Sequence, residues 1–128
     1  MSDLRRLAIA GCLVAMACGP APRTAAEPTP SRRVLLEDEI RGAQVATAYQ
    51  IVARLRPEWL RRRGRTSVRD PTAGAVIVYL DGMRQGGVRA LDVIVAETVL
   101  EMEYLNGQEA TTRFGTGHGG GVILVRLR

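Results

Sequence analysis

Few side chains in this chain of 128 residues have the types that chemistry needs: one histidine, His118, two cysteines, Cys12 and Cys18, and 13 carboxylates. Both cysteines precede residue 19, so residues 19–128 offer no disulfide and no thiolate metal ligand. His118 sits within GTGHGGG (Gly115 to Gly121), far from any second His or Cys, and no Ser-His-Asp or Cys-His set can be assembled around it. A solvated loop histidine is expected there, one whose removal is nearly silent. Glu101 and Glu103 stand two apart, the spacing of an acid/base pair on one strand face. Their alternation with Leu100, Met102 and Tyr104 instead marks them as the wet side of a half-exposed strand.

The glycine run matches G-x-G-x-x-G at Gly115, Gly117 and Gly120. A dinucleotide loop must follow a strand and open a helix, so that amide donors face the pyrophosphate. Here a short helix pattern precedes and a strand pattern follows, and no Lys-Ser/Thr pair completes a phosphate loop. The glycines read as a turn needing positive φ, and no cofactor is expected. Arg54, Arg56, Arg61, Arg62, Arg63, Arg65 and Arg69 form the densest charge run in a chain with 18 Arg+Lys, all of them arginine, and a net charge of +5. Such a run suits a solvated helix end, or a surface for anionic headgroups or an acidic partner, with Arg61, Arg62, Arg63 and Arg65 at its centre. No nucleic-acid recognition motif accompanies it.

The elements that position these residues read as follows. Acidic Glu37, Asp38 and Glu39 open a helical pattern through Leu36, Ile40, Ala43, Ala48, Ile51, Val52, Leu55 and Trp59. Gly42 divides this pattern, and Pro57 breaks it ahead of a short turn over Glu58 to Arg63. Val76 to Asp81 (VIVYLD) predicts a central strand ended by Asp81-Gly82, and Val88 to Ala96 a short helix. Thr98 to Leu105 predicts the half-exposed strand, Asn106 with Glu109 a capped helix, and Gly121 to Arg128 a closing strand. The expected fold is α+β, helices packed on a three-stranded sheet in the order α-β-α-β-α-β. With five aromatics in the chain, the core must be mostly aliphatic.

The N-terminus carries Arg5 and Arg6, then an apolar or small run from Leu7 to Ala17, too short to span a bilayer and suited to a signal peptide over 1–17. Ala15-Met16-Ala17 before Cys18, and Ile9-Ala10-Gly11 before Cys12, resemble the bacterial lipobox, in which the cysteine is lipidated. Cys18 has the fuller apolar run ahead of it, and Cys12 is the alternative. Residues 18–33, rich in Pro, Ala and Thr, read as a tether, and 34–128 as the globular domain.

VIVYLDGMR (Val76 to Arg84), Met102 to Gly107, Ala110 to Gly115 and Gly120 to Val125 follow the element order of the plug domain of TonB-dependent outer-membrane receptors, which this part of the chain resembles. Ala48 to Leu60 resembles the early plug helix. The resemblance implies structural roles for Asp81, Gly82, Phe114, Gly115, Gly120 and Gly121. It implies a stand-alone plug-like domain, without a barrel, in a non-enzymatic lipoprotein of the cell envelope. The expected role is a periplasm-facing interaction module whose partner is an envelope protein, such as a barrel or an energy-transducing protein. Alternatives are an accessory plug gating a separate barrel in TonB-dependent uptake, and a ligand- or glycan-binding lipoprotein. The expected location is the periplasmic face of the outer membrane, since Gly19 rather than Asp follows Cys18; a secreted periplasmic protein is the alternative.

Cys18→Ser is expected to move the protein from the membrane fraction to the soluble periplasm. Release by Cys12→Ser instead would relocate the lipidation site, and retention of both variants would remove the lipid anchor. Fractionation with immunoblotting reads this directly.

Overall fold

The computed structural model describes residues 32–62 and 74–128; the signal segment, Cys12, Cys18, and Arg63 and Arg65 lie outside the described residues. A short strand β1 (Val34–Leu36) leads directly into α1 (Glu37–Gly42), whose first turn holds the three acidic residues at the positive end of the macrodipole. The helical pattern divides after Gly42, as expected. Gln44 adopts φ 50°, and α2 (Ala48–Leu55) restarts behind Thr47, whose hydroxyl accepts from Gln50 N–H at 3.3 Å. Gln50 returns its side-chain oxygen to Ala46 N–H at 3.0 Å. Pro57 then opens a 3₁₀ turn (Pro57–Leu60), where its missing N–H costs no helical bond.

Strand β2 (Ile77–Leu80) is followed by β3 (Met83–Gly87), two 3₁₀ turns (Val88–Val93 and Ala96–Thr98), β4 (Val99–Leu105), α3 (Gly107–Phe114) and β5 (Val122–Leu127). They form one five-stranded sheet in the order β1-β4-β5-β2-β3. The β2–β5 pair is parallel and the other pairs are antiparallel.

The α+β class stands, and the three expected strands share one sheet beneath α2. Two corrections are needed. The sheet has five strands rather than three, because β1 and β3 flank the expected ones as edges. The expected helix over Val88 to Ala96 is instead two 3₁₀ turns that seat Leu91 in the core. The element order is accordingly β-α-α-β-β-β-α-β once the 3₁₀ turns are set aside.

Asp81-Gly82 does more than end a strand. Asp81 has φ 47° and Gly82 φ 83°, so both central residues of the two-residue β2–β3 connection are left-handed. This is the type I′ geometry, whose twist matches that of the flanking strands. Asn106 caps α3 as its sequence implied: its side chain accepts from Gln108 and Glu109 N–H at 3.0 Å each, and Glu109 accepts from Asn106 N–H at 3.2 Å.

Strand alternation sends side chains to two faces. Val78, Met102, Tyr104, Ile123 and Val125 meet α1, α2 and the 3₁₀ turns in the larger core, with Leu35, Ile51, Val52 and Leu91. Trp59 stacks on Tyr104 at 5.7 Å between ring centroids, closing that layer. The other face collects Ile77, Tyr79, Leu105 and Val122 beneath Ala110 and Phe114 of α3.

Val78 is fully buried between β5 and β3. Val78→Asp would place an unpaired charge there, at a cost on the order of 5 kcal/mol, comparable to the whole stability of a small domain. Urea denaturation is expected to find it unfolded or nearly so. A soluble variant with wild-type midpoint would remove β2 from the core.

Candidate functional site

The glycine loop between α3 and β5 is a backbone joint. Gly115 (φ 88°) ends α3, with its N–H on Thr111 O at 2.8 Å, and Gly117 and Gly121 also have positive φ. Gly120 is required for space: a Cβ there would stand 2.3 Å from the Ala75 carbonyl oxygen. A Cβ on Gly107 would stand 2.1 Å from that of Gly119, so the loop threads between the start of α3 and the segment entering β2. Gly121 N–H donates to His118 O at 2.9 Å, and Gly121 O accepts from Ile77 N–H at 3.1 Å, beginning the parallel pairing. The loop follows a helix and feeds a strand, the reverse of a phosphate-binding arrangement.

His118 corrects an expectation. It is not a solvated loop residue but 6 % exposed, the one buried polar side chain among the described residues. A carbonyl can only accept, so Nδ1–H donates to Gly115 O at 2.9 Å, and in the neutral imidazole Nε2 then accepts from Tyr79 OH at 2.9 Å. Tyr79 stacks on Phe114 at 4.5 Å, and Phe114 lies 5.6 Å from the imidazole. The histidine thereby pins the glycine loop to β2 and to the end of α3. The missed signal was an aromatic four residues before a histidine in a glycine run. Its partner Tyr79 is 39 positions away. Among the described residues no group of three or more His, Cys, Asp or Glu is placed to hold a metal ion.

Among the described residues, α3 is the element that packs on this side of the sheet. Eight residues of helix reach about 12 Å, whereas the seven residues of β4 reach about 23 Å, so α3 covers only half of that face. Among the described residues, a shallow cleft of about 450 Å³ lies beside the end of α3. Glu101 and Glu103 share this face as expected, and both are half-buried. Glu101 pairs across strands with Arg126 at 3.0 Å, and Glu103 lies in register with Leu124. Arg113 projects over the Phe114 ring at 5.4 Å. Leu36 of the neighbouring strand β1, more than half exposed, stands in register with Glu101.

The resemblance implies structural roles for six positions. Asp81, Gly82 and Phe114 converge on this cleft. Asp81 also accepts from Leu127 N–H at 3.0 Å, tying the hairpin to the end of β5. Gly115, Gly120 and Gly121 form the loop behind it. Of the basic run, Arg61 and Arg62 are exposed just after the 3₁₀ turn at the far end of α2.

Two substitutions test the latch by chemical denaturation. Tyr79→Phe leaves the buried Nε2 without its donor and is expected to cost about 1–3 kcal/mol. Gly120→Ala forces a backbone clash and is expected to cost more than about 1 kcal/mol. Unchanged midpoints would mean that the loop is not held this way.

The chain matches no family model, no curated protein and no solved structure.

Proposed function

We propose that the chain is a non-enzymatic envelope lipoprotein whose plug-like domain is a periplasm-facing interaction module, with the cleft beside α3 as its docking face. The observation carrying this reading is that cleft: a mixed-charge, partly apolar strand surface beside a short helix. The resemblance to receptor plugs is supported by the roles its motif residues take. Asp81-Gly82 makes the hairpin, Phe114-Gly115 ends α3, and Gly120-Gly121 enters the central strand. The only histidine has both ring nitrogens engaged with the fold, through Gly115 O and Tyr79 OH, which fits a structural role for the glycine loop. A ligand- or glycan-binding reading has less support. Trp59, Tyr79 and Tyr104 are buried in stacked pairs, and Phe114 is the one aromatic at the cleft.

The partner class is an envelope protein, a barrel or an energy-transducing protein. Crosslinking in the intact envelope, followed by pulldown and mass spectrometry, is expected to recover one dominant membrane protein with the wild type. Leu36→Asp combined with Arg113→Glu alters the exposed rim of the face and is expected to cut that recovery at least about tenfold, the effect of losing roughly 1.4 kcal/mol. Equal recovery by the well-folded double variant would move the docking site elsewhere.

A further inference from the structure

Positive charge is gathered at one end of the domain. Residues 54–62 hold four arginines against one carboxylate, whereas residues 74–128 hold five against six. Arg54 lies in the last turn of α2, and Arg61 and Arg62 follow the 3₁₀ turn, all three exposed. Arg56 beside them is committed to Glu39 at 2.9 Å. Arg32 joins this end by lining one hollow with Leu55, Arg56 and Glu58. The chain therefore enters the domain where its arginines cluster. Arg32 follows Cys18 by 14 positions, a span of at most about 50 Å.

We propose that this basic end docks on an anionic lipid headgroup surface through Arg32, Arg54 and Arg61. The proposal rests on the lipoprotein reading, in which a lipid on Cys18 holds the domain within reach of the bilayer. Guanidinium groups bind phosphate bidentately, and each arginine near an anionic surface strengthens attachment roughly fivefold. Among the described residues, none of the exposed large hydrophobics (Leu36, Met83, Val93, Val95) falls within 54–62, so this end presents charge rather than an exposed apolar anchor. Its consequence is orientation: α2 lies on one face of the sheet and the open cleft on the other, so docking turns the cleft away from the membrane.

The test uses the full chain in a Cys12→Ser background, reconstituted in vesicles of phosphatidylcholine alone or mixed with phosphatidylglycerol. A dye is placed at Ala53→Cys on α2 or Thr112→Cys on α3, both exposed positions, and a quencher on the lipid headgroups. On anionic vesicles the Ala53 dye is expected to be quenched about threefold more than the Thr112 dye. That difference should vanish on phosphatidylcholine, at high salt, and in Arg54→Glu/Arg61→Glu. Equal quenching at both positions on anionic vesicles, as an acidic protein partner would leave it, overturns the docking. So does a difference that survives charge reversal. Flotation of the same samples separates the two readings. A chain that floats on both vesicle types without a positional difference keeps its lipid anchor and loses the orientation. One that floats on neither loses both.

Discussion

The parallel pairing of β2 with β5 is the constraint on which the rest depends. Two strands that run the same way cannot be joined by a tight turn, so the chain must travel away and return. It does so through β3, the 3₁₀ turns, β4 and α3, and the glycine loop brings it back beside Ile77. The return leaves almost no room. Gly120 passes against the Ala75 carbonyl, and Gly121 lies where a Cβ would meet the Tyr104 hydroxyl and the Leu105 carbonyl. His118 and Tyr79 then fix the loop, and Asp81 fixes the far end of β5 through Leu127. With β5 so placed, its alternate residues feed both cores: Ile123 and Val125 one, Val122 and Leu124 the other.

What was legible in the sequence follows from how local each signal is. The α1–α2 break, the Asn106 cap and the strands β2, β4 and β5 announce themselves within a few residues, by caps or by apolar pattern. The strand β3 carries no such pattern, because Met-Arg-Gln-Gly-Gly is an edge whose side chains are largely exposed. Asp-Gly was present as a hairpin signal, but the apolar alternation that should follow it was not. The three residues of β1 are too few to show a period, and Leu36 fitted the helical pattern equally well. His118 could not be placed because its burial depends on a strand tyrosine far along the chain. The charge alternation of Glu101 and Glu103 told correctly of a wetter face. That α3 would shield only half of it depends on lengths and packing.

The domain thus separates its tasks in space. Histidine, glycines and stacked aromatics are spent on joining strands, and among the described residues no helix is long and apolar enough to cross a membrane. Among the described residues, two surfaces stand apart from this joinery: the cleft beside α3 and an arginine-rich end after α2. In the proposed reading these are two contacts of one tethered module, a partner protein on the first and lipid headgroups on the second. Neither contact asks the fold to move, in keeping with a latch that holds the central strands at both ends.

Hydrogen exchange of the native full chain, read by mass spectrometry, tests the central pairing most directly. Buried central pairs should open only with the whole domain, whereas edges open locally. The account expects the amides of Ile77–Leu80 and Val122–Leu127 to be the slowest and to exchange together, with Met83–Gly87 much faster. Fast, independent exchange of Val122–Leu127, at the rate of the edge strand, would show that β5 is not the centre of this sheet and would contradict the account.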